Sequence, residues 1–290
     1  MTDLKESIYS FDDIVIVLVL YRTVLEDCNS FITLVRNVRH GEKIDLLVYD
    51  NSPVKQQRPA SLEHQGIKLH YISDTSNPGI GKAYNTAIRF AREKEKKWVL
   101  FLDQDTQIAP EMLQLYLDAI NVPSEIRVFA TTLYGNDGRL ISPSKYRFKR
   151  GFRLENLPKG KVSLKKIRPI NSLLLLSVEV FETVGKYNEE IRLDFSDHEF
   201  LGRVEKYYNE MYVVPAHNGH SLSSSDDRDM ESIRSRFVIF CKGAHVAAGT
   251  GFISRLQYFM VCLLRALKLS IKSRSLFFLK VMFKEWLGRA

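Results

Sequence analysis

Cysteine is scarce in this chain. Three are present, Cys28, Cys241 and Cys262, far apart and without metal-ligand spacing. That argues against a disulfide framework or a zinc site and fits a reducing compartment. Long apolar runs are missing as well, and none is uninterrupted over the length that a bilayer crossing needs. Residues 1–13 are polar and lack the apolar core of a signal peptide. The expectation is a cytoplasmic protein, free or peripheral at the inner face of the cytoplasmic membrane. Paired Cys/His ligands and an aromatic-basic sheet signature are absent, so no nucleic acid is expected as a partner. No Ser-His-Asp or Cys-His arrangement stands out, and a covalent nucleophile is not required.

What is present is the composition of a folded protein, with 45% hydrophobic and 26% charged residues. A chain of 290 residues buries a sizeable core, as one large domain or one domain with an appendage. The net charge of +8 favours anionic partners such as phosphate-bearing substrates or anionic lipid. Residues 14–21 (IVIVLVLY) form a continuous β-branched and apolar run, as expected of a strand buried on both faces. Further strands are predicted over 43–49, 68–72 and 98–102, with helices over 27–39, 82–94 and 110–120. This alternation predicts βαβ units and a mostly parallel α/β sheet flanked by helices. Beyond residue 125 the pattern changes. Strands are predicted over 128–133, 173–177 and 211–215, helices over 181–185 and 197–207, and a basic loop over 142–168.

The segment 98–106 (WVLFLDQDT) carries the most chemistry. An apolar run of strand length ends in two carboxylates one residue apart, Asp103 and Asp105. Side chains alternate along a strand, so the two are expected to point the same way. Such a pair suits a hard divalent cation carrying a phosphate-bearing substrate, although a solvated acidic turn has the same residues. Tyr21-Arg22 and Asp50-Asn51-Ser52 also follow predicted parallel strands. All three clusters should share one rim of the sheet, where open α/β sheets bind their ligands. A fourth cluster is Asp194-Phe195-Ser196-Asp197-His198-Glu199, in which Asp197 reads either as a base or as a helix N-cap. Residues 251–290 are set apart as a helical, basic, amphipathic tail, whose last 36 residues hold eight Lys/Arg against one acid, Glu285. A tail of this kind lies in a membrane interface or packs on the domain.

The segments 48–52 (VYDNS), 77–85 (NPGIGKAYN) and 101–106 (FLDQDT) together resemble family 2 glycosyltransferases of the GT-A fold. The Asp-Gln-Asp form is similar to bacterial rhamnosyltransferases that build O-antigen and capsule. Residues 184–190 (VGKYNEE) and 193–200 (LDFSDHEF) resemble the acceptor-side block of that subfamily, and 217–222 is similar to its histidine segment. The resemblance spans 14–250, with a nucleotide-sugar half over 1–125 and an acceptor half over 126–250. It implies inverting, metal-dependent transfer of a sugar to a hydroxyl of a saccharide acceptor, lipid-linked or free. The donor implied is a dTDP- or UDP-sugar, with dTDP-L-rhamnose favoured and galactosyl, galactofuranosyl or N-acetylhexosaminyl donors as alternatives. Asp50 would contact the base, and Asp103 the ribose or diphosphate. Tyr21, Asn77, Lys82 and Gln104 would also line the donor. Asp105, with His220 or else His217, would hold Mg²⁺ or Mn²⁺. Asp197 would be the general base, with Asp194 its rival and Glu199 orienting the acceptor or bracing the site.

The chain departs from the resemblance at four places. Ser172 stands where glycine is usual, Asn188 where aspartate is, and Phe200 where tryptophan is, and Ser221-Leu222-Ser223 lacks a glycine. The first implies a less open donor-side backbone. A nucleotidyltransferase reading is disfavoured because Tyr21-Arg22-Thr23-Val24 lacks a glycine-rich phosphate loop. A non-catalytic membrane-associated scaffold is the rival from another class.

Overall fold

The computed structural model describes residues 8–57, 61, 63–221 and 229–288. Leu222, Ser223 and Arg289, and the first seven residues of the polar amino terminus, lie outside them. Strand β1 (Ile14–Leu20) is followed by α1 (Asn29–Asn37), β2 (Ile44–Asp50), β3 (Glu63–His64) and β4 (Ile67–Ser73). Next come α2 (Ile80–Glu93), β5 (Trp98–Asp103), β6 (Thr106–Gln107), α3 (Met112–Asn121) and β7 (Val128–Tyr134). Short strands follow: β8 (Leu140–Ser142), β9 (Ser144–Arg147), β10 (Arg150–Phe152), β11 (Gly160–Ser163) and β12 (Ile167–Arg168). The chain then runs through β13 (Leu174–Ser177), α4 (Val178–Val184), α5 (Ser196–Val204) and β14 (Glu210–His220). It closes with α6 (Met230–Ala248), α7 (Phe252–Ser273) and α8 (Phe277–Leu287).

The main sheet runs β11-β14-β7-β13-β5-β1-β2-β4-β3. β1 pairs in parallel with β2 and β5, and β2 with β4, so the predicted α/β core is present. β13 enters between β5 and β7 antiparallel to both. Every residue of β1 is buried, because helices cover both faces of the sheet. Ile16, Leu18 and Leu46 belong to one core layer with Phe31 of α1 and Tyr116 of α3. Val17, Leu47 and Phe101 belong to the other, with Tyr84 of α2 and Phe200 of α5. A third apolar cluster joins α6, α7 and α8 to Ile191 and Phe195.

The basic stretch 142–168 is not the loop expected. Its β9, β10 and β12 make a small separate sheet. The strands are two to four residues long, too short for a period-two pattern to show in sequence. Phe148 and Lys149 take left-handed backbone at the β9–β10 turn. Lys149 then lies over the Tyr258 ring of α7, 5.4 Å from its centre. The Arg168 guanidinium stacks on Tyr146 at 4.0 Å and donates to the His198 carbonyl at 2.9 Å, joining the small sheet to α5.

One loop joins the start of α2 to the segment before α5. Gly79 has φ +105 and ψ 175, and a Cβ there would sit 2.5 Å from the Arg192 carbonyl oxygen. That carbonyl accepts the Ile80 amide at 3.0 Å. Gly79→Ala therefore combines a backbone region nearly closed to L-residues with a main-chain clash. We expect it to cost about 1–3 kcal/mol or more, read as a lowered urea midpoint. An unchanged midpoint would show that the loop yields.

Candidate active site

The three predicted strand ends do share a rim, since Leu20 lies opposite Asp50 and Val19 opposite Asp103. Asp105 is not on the strand, however. β5 ends at Asp103, and Gln104-Asp105 form a turn before β6, so strand alternation is not what aligns the carboxylates. Ser30, near the start of α1, clamps this turn. Its hydroxyl accepts the Thr106 amide at 3.0 Å and touches the Asp103 and Thr106 carbonyls. β6 then pairs with the end of β14, with Thr106 opposite His220. This pairing brings a distant histidine to the acidic turn.

Asp103, Asp105 and His220 thus offer ligand atoms within 4.8 Å of one another. His220 Nδ1 lies 3.6 Å from Asp105 Oδ1. Two carboxylates and one imidazole are a hard oxygen-nitrogen set that fits Mg²⁺ or Mn²⁺. Thr106 Oγ1 is 2.9 Å from His220 Nδ1 and 2.6 Å from Ser172 Oγ. Ser172 is buried, so its side chain braces this relay instead of crowding the open rim. The sequence gives no role to Ser30 or Thr106, and singles out Ser172 only as a replacement for glycine. The one signal for Thr106 is its place directly after Asp-Gln-Asp.

Burial pushes the Asp103 carboxyl up to about 6, with His220 opposing and the Asp105 and Asp197 charges reinforcing it. Burial also raises Asp105, again against His220. The fully buried Tyr84 hydroxyl stands 3.5 Å from Asp103 Oδ1. Carboxylates raised by burial and by a neighbouring like charge are candidates for a functional site.

The other predicted residues divide into groups. Tyr21 and Gln104 meet directly, the Tyr21 amide donating to Gln104 Oε1 at 2.7 Å. Asp50 is fully buried and accepts the Ser52 amide at 2.9 Å and the Tyr71 hydroxyl at 2.7 Å. Asn77 has left-handed backbone, and its carbonyl accepts from the Arg192 guanidinium. Lys82 pairs with Glu189 at 3.7 Å. Asn85 exchanges hydrogen bonds with the Tyr187 main chain at 2.9 and 3.0 Å, which fixes α2 to the 187–189 turn.

The acidic turn before α5 separates its three acids. Asp194 pairs with Arg236 of α6 at 3.2 Å. Glu199 is held by Arg203 one turn on, at 2.8 and 3.0 Å. Asp197 accepts the His198 amide at 2.7 Å, has no ion pair among the described residues, and lies close enough to Asp103 for its charge to act there. His217 stacks on Tyr134 at 4.0 Å and is outside the carboxylate-histidine group. Asn188 Oδ1 accepts the Glu190 amide at 3.0 Å, a turn bond that aspartate would also make. Phe200 stacks on Tyr187 at 4.1 Å and fills core.

The family described as "Glycosyl transferase family 2" matches residues 20–183, more than half of the chain. The chain belongs to this family. A dTDP-rhamnosyl transferase, RfbF of Shigella flexneri, is 29% identical over 205 residues, which are 69% of this chain. The chain spans 65% of that relative's length. S. aureus TarS 1–349 in complex with UDP has a similar fold, with a TM-score of 0.53 at 15% identity, covering 85% of this chain and 68% of that one. A Pyrobaculum calidifontis mannosyltransferase, PcManGT, in complex with GDP-Man and Mn²⁺, gives a TM-score of 0.53 at 10% identity, covering 96% and 88%. The α/β architecture is therefore that of GT-A-like glycosyltransferases.

In this family 2 chain the matched region contains Asp50, Asp103 and Asp105 and stops before Asp194, Asp197 and His220. The structure brings His220 to within 3.6 Å of Asp105 and Asp197 within the electrostatic reach of Asp103. A pH test follows. A carboxyl raised from 3.8 to about 6 binds its proton more tightly folded than unfolded. Its contribution to metal-free stability is present below the lower value and is lost as pH rises through the upper one. A cation must displace that proton. The Mn²⁺-induced rise in melting temperature is thus expected to be much smaller at about pH 5.5 than at about pH 7.5. An equal rise at both would remove Asp103 from the cation site.

Proposed function

We propose that this family 2 glycosyltransferase moves a sugar, with inversion, from a nucleoside diphosphate donor to a hydroxyl of a saccharide acceptor. The observation that carries this is the Asp103–Asp105–His220 group on the sheet rim, within the electrostatic reach of Asp197. The donor is dTDP-L-rhamnose, a reading supported by the name of the Shigella relative. UDP-sugars are the second reading, supported by the UDP and UDP-GlcNAc complexes of TarS. The acceptor is a lipid-linked or free oligosaccharide of bacterial surface polysaccharide, O-antigen or capsule. We assign the donor to the half before residue 125 and the acceptor to 126–250.

Asp103, Asp105 and His220 would hold Mg²⁺ or Mn²⁺, as the manganese complex of PcManGT supports for the fold. When bound, the cation neutralises charge on the departing diphosphate. Asp50 fixes the base, and Tyr21, Asn77, Lys82 and Gln104 position the rest of the donor. Asp197 takes the proton of the attacking hydroxyl on the side of the sugar away from the leaving group. Asp194 and Glu199, held by Arg236 and Arg203, keep the turn and helix in place for that transfer.

The test is a thermal-shift screen of dTDP, UDP, GDP and CMP with their sugars, with and without Mn²⁺ or Mg²⁺. A metal-dependent rise with dTDP-rhamnose above all others is the expected result. A rise confined to UDP-sugars selects the second reading. No rise with any nucleotide in a folded sample favours the scaffold.

A further inference from the structure

Helix α7 is apolar on two faces. Its inner face buries Tyr258, Val261, Cys262 and Ala266 in the cluster with α6, α8 and Phe195. Its outer face carries Phe252, Leu256, Met260, Leu264, Leu267 and Ile271, each 40–79% exposed. At about 100° per residue these six fall within one third of the helix circumference. The row runs about 28 Å along the axis at 1.5 Å per residue. Leu276 and Leu287 of the α8 region add further exposed apolar surface. Among the described residues no buried neighbour explains this stripe, because the core is already met by the opposite face.

Its borders are basic. Arg255 flanks one edge of the stripe, and Lys268 and Lys272 the other, all exposed. Lys280 and Lys284 stand exposed on α8. The sole acid from 252 to 288 is Glu285. Among the described residues no helix is long and apolar enough to cross a membrane. A stripe this narrow with cationic edges matches a helix lying in the plane of an anionic interface. A second copy of the chain is a poorer occupant, since a two-fold pairing of this face sets basic rows against basic rows.

We propose that the outer face of α7 docks the protein on an anionic lipid bilayer, its apolar row entering the acyl boundary and its lysines facing the phosphates. The inner face makes this docking relevant to the active site. Phe195 packs on Phe240 at 4.7 Å and on Tyr258 at 5.3 Å, and Asp194 and Asp197 lie within two residues of it. The lipid-facing helix is therefore seated on the turn that carries the proposed base. The inference stands whether or not the donor reading does.

The experiment is vesicle flotation of the full chain with phosphatidylcholine alone and mixed with phosphatidylglycerol. Binding is expected to the mixed vesicles and to be weak with phosphatidylcholine. The exposed triple variant Leu256→Ser, Met260→Ser, Leu264→Ser should lose at least about tenfold in vesicle affinity. Lys268→Glu with Lys272→Glu should lose about as much by removing the attraction to anionic lipid. Melting temperatures close to the parent's confirm that both variants fold. Equal binding to both vesicle types, or unchanged binding by the serine variant, would overturn the proposal. A parent dimer that the serine variant dissociates would assign the face to a second copy instead.

Discussion

Asp105→Ala is expected to abolish the metal-dependent nucleotide shift and to lower sugar transfer by about three orders of magnitude or more. The size follows from losing several kcal/mol of charge stabilisation at the leaving diphosphate, at about 1.4 kcal/mol per tenfold. The same change should leave the metal-free protein as stable as before or more so. Asp105 adds to the repulsion that raises Asp103, and the alanine relieves it. His220 would keep its contact with Thr106 at 2.9 Å. Loss of the metal shift together with a maintained melting temperature is thus the signature of a ligand. A fall in melting temperature equal to the fall in activity would mean that Asp105 is structural.

Asp197→Asn is expected to lower kcat by about two to four orders of magnitude while the donor-induced thermal shift stays as it was. An amide keeps the size of the carboxylate and its acceptance of the His198 amide, and removes the basic oxygen. Asp194→Asn should behave differently. It discards the ion pair to Arg236 and is expected to cost about 1–3 kcal/mol of stability, with a smaller effect on kcat. If Asp194→Asn were the slower enzyme and Asp197→Asn nearly normal, the base assignment would reverse. Measuring both in one series, with kcat and melting temperature side by side, settles which acid takes the proton.

The parallel core was legible in the sequence because a doubly covered strand has an unmistakable pattern. IVIVLVL admits no polar face, and β1 has none. The rim was legible for the same reason, since apolar runs that end in Asp50 and Asp103 fix where the strands stop. The helix α6 was not legible. Its buried side includes Cys241, Gly243, Ala244 and Ala248, small residues that leave little periodic contrast. The tail was legible as a helical, basic and amphipathic segment. The structure divides its hydrophobic residues between a core shared with Ile191 and Phe195 and a surface stripe. Truncation near residue 255 would therefore open the core as well as remove that stripe. The meeting of His220 with Asp105 depended on pairing between β6 and β14, more than a hundred residues apart, and no local pattern encodes such a pairing.

Arg192 has a consequence of its own. Its guanidinium holds the Asn77 carbonyl, and its own carbonyl receives the Ile80 amide at 3.0 Å. One residue thereby grips both ends of the Asn-Pro-Gly loop. Two positions further along the chain begins the acidic turn. The loop proposed to seat the donor and the turn proposed to activate the acceptor are thus two arms of one lever, with Arg192 as its fulcrum. A few bonds of main chain at Arg192 tie the position of that loop to the position of that turn.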